Sequence, residues 1–305
     1  MSSLPIIDLS APEATSAIGA AARGIGFFYI TGHGLSDAAL AEIFAQSRRL
    51  FALSPARLAP IALTGQTGNR GYVGLKGESL DPTRPADLKE AFNIGFEMPD
   101  DDPDTAAGRH FRAPNLWPDL PGLRAAVLGH FAACHAIGRR LHRAFATDLG
   151  LPPGWFEDKL DRPMATLRLL HYPPRPHRIE PGQLGAGEHT DYGCVTLLLT
   201  DDAGGLQVRR RDGTWIDAPH VPGAFVCNIG DCLMRWTSDI YVSTPHRVVN
   251  PAGRERYSVA FFLDPNPEAV VAPLPGLPPA YAPILAEDYL RERLTATYAG
   301  KARPA

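Results

Sequence analysis

No run of apolar residues in this chain is long enough to span a membrane. The opening stretch, MSSLPIIDLS, lacks the basic segment and apolar run of a secretory signal. Basic charge is not in excess. Thirty Lys and Arg stand against 33 Asp and Glu, for a formal net charge of −3, and no basic run interleaves with aromatics. Nucleic acid and membrane surfaces are therefore not the expected partners. Cysteine is scarce: Cys134, Cys194, Cys227 and Cys232 form neither a CxxC pair nor a dense framework. Free buried thiols in the reducing cytoplasm are the expectation. Repeats and low-complexity segments are also lacking, and nothing sets the oligomeric state.

What the chain does have is turn-forming residues, 30 prolines and 29 glycines, and enough apolar content (45% of 305 residues) for one large domain or two small ones. The first third reads as α/β. LPIIDL and GFFYITGHG are plausible strands, and a helix is expected between Ser36 and Pro55, with Ser36 as N-cap and Leu40, Ile43, Phe44, Ser47, Leu50 and Phe51 on one face. The Gly-rich TGQTGNRGYVGLKGESLD looks too poor in apolar residues for core and reads as a loop. A long helix is expected from about Gly122 to Leu149, where Gly150 is a natural stop. From residue 164 the texture changes to short strands: ATLRLLHY, CVTLLL, GLQVR, TWIDAP, AFVCNIG, HRVV and RYSVAFFL, punctuated by Gly-containing turns. That density suits a sandwich or jelly roll better than a βαβ sheet. The tail ends in a helix-like LAEDYLRERLTATY.

Within this frame GEHTDYGCVTLLL places His189 and Asp191 at the entrance of a strand, two residues apart and so on one side of an extended chain. Alone, an HxD tripeptide is as readily a solvated Asx turn. A third ligand-type residue changes the odds: STPHRVVN puts His246 before another short strand, 57 residues on. Two imidazoles and a carboxylate make the facial triad of a non-haem Fe(II), although the same donors also suit catalytic zinc. In RYSVAFFL, period two puts Arg256, Ser258, Ala260 and Phe262 on one face and Tyr257, Val259, Phe261 and Leu263 on the other. A guanidinium beside a hydroxyl makes a clamp for one carboxylate of a ligand. The alternative is an arginine at a barrel rim with serine filling space, which the wholly apolar or aromatic opposite face argues against.

These segments resemble the iron- and 2-oxoglutarate-dependent oxygenases of the isopenicillin N synthase-like family. The likeness runs from PIIDL, GFFYITGHGL, NRGY and DLKEAFNIG through the HTD, PHR and RYS segments to YLRERLTATY, in order and over almost the whole chain. It implies a mainly β fold with flanking helices: a double-stranded β-helix (jelly roll) core with an N-terminal α/β region. The expected division is residues 1–120 for the α/β region packing on the core, 121–161 for the long helix and connection, 162–265 for the jelly-roll oxygenase core and 266–305 for a helical tail, all one structural unit. It implies His189, Asp191 and His246 as catalytic iron ligands. It also implies that Arg256 and Ser258, joined by Tyr172 of LLHYPP, anchor the distal carboxylate of 2-oxoglutarate. Where many members have an asparagine two residues before that tyrosine, this chain has Leu170. The implied activity uses Fe(II), O2 and 2-oxoglutarate as co-substrate, releases succinate and CO2, and oxidises an unactivated C–H bond of a small molecule, with hydroxylation ahead of desaturation or ring closure. Two rivals stay open: a 2-oxoglutarate-independent Fe(II) oxidase of the same family, whose clamp holds the substrate's own carboxylate, and a metal-bound ligand-binding protein without turnover.

Other residues carry weaker expectations. Phe262, sharing a face with Arg256, is a pocket wall, with Tyr192 and Trp236 as further aromatic walls. Arg70 and Tyr72 are substrate contacts or, equally, loop anchors. His130, His135, His142 and His171 read as packing or surface residues. Asp231 reads as a solvated turn, and Lys89 and Glu90 as a structural pair or solvated charges.

Overall fold

The structure is a computed structural model, and it describes residues 4–298 except 66–67, 82, 100, 175–179 and 251–252, so His177 lies outside it. The strands of the first part are β1 (Ile6–Asp8), β2 (Phe27–Thr31), β3 (Gly71–Val73) and β4 (Glu90–Gly95). Then come β5 (Thr166–Tyr172), β6 (Ala186–His189), β7 (Val195–Thr200), β8 (Leu206–Arg209), β9 (Trp215–Asp217) and β10 (Phe225–Ile229). The last are β11 (His246–Val248), β12 (Arg256–Leu263), β13 (Val270–Val271) and β14 (Ile284–Leu285). The helices are α1 (Ala14–Gly24), α2 (Asp37–Phe51), α3 (Pro55–Leu58), α4 (Pro103–Ala106), α5 (Leu123–Asp148), α6 (Asp231–Trp236) and α7 (Ala286–Tyr298). Among the described residues no helix is long and apolar enough to cross a membrane.

An eight-stranded sheet in the order β1-β2-β10-β7-β12-β5-β4-β3 faces a four-stranded sheet in the order β6-β11-β8-β9. Only the β1–β2 pairing of the large sheet is parallel. Strands from the first hundred residues therefore flank the later strands on both sides. β2 pairs with β10 through Phe27↔Asn228, and β4 with β5 through Asn93↔Arg168. Paired edges of this kind leave less unsatisfied backbone than a separate small sheet would.

The two faces of the large sheet bury different things. On the outer face Val259, Phe261 and Leu263 pack with the buried stripe of α5, including Val127, Phe131 and Cys134. The Phe131 and Phe261 rings meet edge-on with centroids 5.0 Å apart, a geometry worth ~1 kcal/mol beyond area burial. Gly138 is what lets the helix come this close, since a Cβ there would lie 2.6 Å from Leu263 Cδ2. Tyr257 also faces outward, stacked on His171 and covered by Phe51 and Arg48 of α2. α2 begins where Ser36 accepts a hydrogen bond from the Ala39 amide. The inner face carries a second apolar cluster, with Tyr172, Leu170 and Ala260 of the large sheet against Leu206, Val208 and Val248 of the small one.

One stretch departs from its sequence reading. The segment expected to be a loop contains β3 and two fully buried charges, Arg70 and Glu78. Its low apolar content reflects ion pairs and carbonyl contacts standing in for hydrophobic packing.

Candidate active site

His189 ends β6 and His246 begins β11. Backbone pairing sets the two residues directly opposite each other, with ring centroids 4.3 Å apart. Asp191 sits in the turn leading to β7, and its Oδ1 lies 3.8 Å from His189 Nε2 and 3.7 Å from His246 Nε2. One ligand atom from each residue falls within 4.8 Å of the others. The groups behind them fix which atoms are presented. The Nδ1 of His189 lies 2.7 Å from the Gly187 carbonyl and that of His246 3.2 Å from the Thr244 carbonyl. A carbonyl can only accept, so the proton sits on Nδ1 in each ring and the Nε2 lone pairs point at Asp191. Asp191 Oδ2 accepts from Thr196 Oγ1 at 2.5 Å and Asn228 Nδ2 at 2.7 Å, which leaves Oδ1 as the oxygen that could take a metal. Outer contacts of this kind orient metal ligands.

The electrostatics agree. Burial, with His246 alongside, pushes the His189 imidazole down to about 3, so it is neutral at ordinary pH, as a metal ligand must be. Burial works against the Asp191 carboxylate, but His246 and His189 together with the two hydrogen bonds hold it below the usual range. Two imidazoles and one carboxylate fit Fe(II) and would leave room on the metal for other ligands.

The same cavity, about 140 Å³, is lined by Arg256, Ser258, Ala260 and Phe262 from one face of β12. Arg256 is 1% exposed. Its Nε donates to the Gly204 carbonyl (2.8 Å), its Nη1 to Ser258 Oγ (3.1 Å), and its guanidinium lies 4.6 Å from the Tyr172 ring centroid. No carboxylate pairs with it among the described residues. A buried cation without a counter-charge is costly, so this end of the cavity is built to receive an anion. Phe27, Tyr192, Leu198 and, from the C-terminal helix, Leu290 and Leu294 supply apolar walls.

A different wall escaped the sequence reading. Lys89, 3% exposed, lines the cavity with its Nζ 2.9 Å from Glu78 Oε1 and 2.7 Å from Asp87 Oδ2. Arg168 pairs with the other oxygen of Glu78. Burial opposes the charge on Glu78, but Arg168 and Lys89 hold its carboxyl down to about 2. Lys89 is thus neither solvated nor paired with Glu90, which instead engages His171 and Tyr72 on the outer face. The available signal was Arg168, a charge in the middle of an apolar strand. Lys89 and Glu78 gave none. Asp264 also lines the cavity, and burial with Asp191 nearby pushes its carboxyl up to about 7.

The expectations for Trp236 and Asp231 need correction, and for Arg70 and Tyr72 the anchoring alternative holds over substrate contact. Arg70 lies outside the cavity, fully buried, donating to the Gly68 and Phe111 carbonyls beneath Gly95. Trp236 is core, packed on Phe156 and Trp155 with its N–H on the Val270 carbonyl. Its place in a short helix, α6, turns it away from the site. Asp231 is a buried first residue of α6 that takes a hydrogen bond from Thr190 and an ion pair from Arg293. Tyr72 bonds to Glu90 and does not line the cavity.

Known proteins match this architecture. Residues 163–265 match the model of the 2OG-Fe(II) oxygenase superfamily, and residues 4–120 that of the non-haem dioxygenase in morphine synthesis N-terminal region. A 2-oxoglutarate-Fe(II) type oxidoreductase of Emericella nidulans is 37% identical over 284 residues, covering 90% of this chain and 81% of its own. Homoarginine-6-hydroxylase of Glycine max is 36% identical, covering 90% and 88%. In structure, a full-length Neurospora crassa protein crystallised in complex with alpha-KG (2-oxoglutarate) and thymine aligns with a TM-score of 0.85 at 33% identity, covering 96% of each chain. The chain belongs to the 2OG-Fe(II) oxygenase superfamily, with the jelly-roll core of that class. Its activity is that of a non-haem Fe(II)- and 2-oxoglutarate-dependent dioxygenase.

Proposed function

We propose that His189, Asp191 and His246 hold the iron, that Arg256, Ser258 and Tyr172 hold the distal carboxylate of 2-oxoglutarate, and that the enzyme hydroxylates an unactivated C–H bond of a small molecule. The observation that carries the reading is Arg256: a guanidinium 1% exposed, with no carboxylate partner among the described residues, in the cavity of the triad. The fork gives a carboxylate two charge-assisted hydrogen bonds, and Ser258 Oγ sits 3.1 Å from it to add a third. Tyr172 packs its ring on the guanidinium, and its hydroxyl makes no hydrogen bond to a described residue, so it remains free for the same carboxylate.

Iron with 2-oxoglutarate and O2 supplies the oxidation, in which the co-substrate leaves as succinate and CO2. The protein's own part is positioning and shielding. The carbonyls of Gly187 and Thr244 keep both imidazoles turned to the metal. Thr196 and Asn228 leave Asp191 a single ligand oxygen. Phe262, Tyr192, Leu290 and Leu294 keep bulk water from the reacting centre. Hydroxylation is supported by the relatives named as hydroxylases, and a small substrate by a cavity of about 140 Å³, below the size of drug-sized ligand sites. The test is a metabolite screen that reads succinate release above the uncoupled background, followed by product mass. A mass gain of one oxygen supports hydroxylation, and turnover without 2-oxoglutarate supports the oxidase rival.

A further inference from the structure

The inner face of β12 does not end at Phe262. One more step of two along the face that carries Arg256, Ser258, Ala260 and Phe262 reaches Asp264, just past the strand, and Asp264 lines the same cavity. The strand thus brings a guanidinium to one end of this face and a carboxyl to the other. Asp264 is 5% exposed, and no donor or cation among the described residues reaches its carboxyl. Its oxygens are not among the sealed, partnerless polar atoms of the interior, so they open on the cavity. Gly193, two residues beyond Asp191, makes room for it: a Cβ there would lie 2.8 Å from Asp264 Oδ1. A carboxyl buried this far without a partner is costly to keep. Burial, with Asp191 nearby, is what holds it up, and a cation beside it would favour the ionised form again.

The charge balance of the loaded cavity says what the missing partner is. Lys89 and Arg168 are matched by Glu78 and Asp87. A divalent iron, the Asp191 carboxylate, dianionic 2-oxoglutarate and the Arg256 guanidinium together carry no net charge, the imidazoles being neutral as ligands. Asp264 is the charge left over, and one positive charge on the substrate closes the balance. An uncharged substrate would leave this carboxyl buried and unmatched. An amino acid, or any other carboxylate, would bring an anion for which the cavity has no spare cation. The apolar walls, Phe262 and Tyr192 with Leu290 and Leu294, suit a hydrocarbon or aromatic body, and a ring face also attracts an ammonium group.

We propose that the prime substrate is an apolar amine that carries one positive charge and no carboxylate, and that Asp264 holds its ammonium group. This rests on the assignment of the iron and 2-oxoglutarate sites above, and it makes Asp264 a specificity-determining residue.

The test uses the full-length enzyme loaded anaerobically with Fe(II) and 2-oxoglutarate. The probes are one- and two-ring hydrocarbon bodies, each carrying in turn an ammonium, a hydroxyl, a carboxamide, a carboxylate or an α-amino acid head group. Binding is followed by perturbation of the Fe(II)–2-oxoglutarate absorption band and by calorimetry. The expected result is that, on the bodies that bind, the ammonium form is tightest, roughly ten- to a hundredfold ahead of the hydroxyl form. Asp264→Asn should weaken the ammonium forms by a similar factor and leave the hydroxyl forms and 2-oxoglutarate unaffected, the signature of a direct pair in a double-mutant cycle. If Asp264→Asn does not fold, the head-group comparison on the unaltered enzyme decides alone. Four results would each overturn the proposal: tightest binding of a neutral, carboxylate or amino acid form, no response to any amine, an ammonium preference that survives in Asp264→Asn, or a loss of iron or 2-oxoglutarate affinity there in place of probe affinity. Absence of the Fe(II)–2-oxoglutarate band from the unaltered enzyme would overturn the underlying site assignment instead, so the two failures are distinguishable.

Discussion

The cavity has two polar walls that handle charge in opposite ways. On β12, Arg256 is buried with a carbonyl, a hydroxyl and an aromatic ring around it and no carboxylate among the described residues. On β4, β5 and the segment before them, Lys89 and Arg168 are buried too but matched by Glu78 and Asp87. An unmatched charge costs too much to keep unless a ligand supplies its partner, whereas a matched cluster is complete within the protein. The first wall is therefore a binding device for an anion. The second is scaffold. The proposed iron ligands share the cavity, their orientation set by backbone carbonyls beside the strands of the small sheet and by Thr196 and Asn228 of the large one.

If that division is right, changes to the two walls should fail differently. The largest effect belongs to neither wall. His189→Ala or His246→Ala should abolish Fe(II) binding and turnover while leaving the circular-dichroism melt close to that of the unaltered protein, because both residues sit at strand ends beside a cavity. Full iron stoichiometry with activity in either variant would remove the metal assignment. Next comes the matched wall: Glu78→Gln leaves Lys89 and Arg168 buried without their shared carboxylate. It should cost ~3–5 kcal/mol of stability by denaturant melts. An outcome within the scatter of surface substitutions would mean that the cluster is not a structural unit. The same carboxyl gives a pH signature. It is held down to about 2 from an ordinary 4.5, so its stabilisation is complete above about pH 4.5 and is lost as pH falls towards 2. Glu78→Gln should flatten the melting temperature over that window. Smallest is Ser258→Ala on the unmatched wall, which removes one neutral donor. It should raise the KM for 2-oxoglutarate roughly two- to tenfold with the melt unchanged.

How much of this was legible in the sequence depends on how local the signal is. The clustering of His189, Asp191 and His246 was legible because each sits beside a short apolar strand, and the shared cavity face of Arg256 and Ser258 because they fall at period two in RYSVAFFL. Both are patterns within a few residues. Helix α5 and the Ser36 cap were legible for the same reason. Glu78 and Lys89 were not: each is an isolated charge in a Gly- and Asp-rich segment, and only pairing with Arg168 across the sheet buries them. Trp236 was misplaced because a large aromatic near an expected site fits a pocket wall and a core position equally well by sequence, and the direction of α6 decides between them. Leu290 and Leu294 share an amphipathic pattern with any C-terminal helix, and nothing local tells that the helix returns over the cavity.

The central claim is that the unmatched guanidinium of Arg256 is the seat of 2-oxoglutarate. It is tested most directly by anaerobic calorimetric titration of 2-oxoglutarate into the Fe(II)-loaded protein and its Arg256→Gln variant, with melting curves recorded alongside. Losing a buried charged partner costs ~2–5 kcal/mol, on the order of thirty- to several-thousand-fold in affinity. The account predicts a loss on that scale with an unchanged or raised melting temperature, since the variant removes a charge that has no carboxylate partner among the described residues. Unaltered 2-oxoglutarate affinity in Arg256→Gln would contradict it.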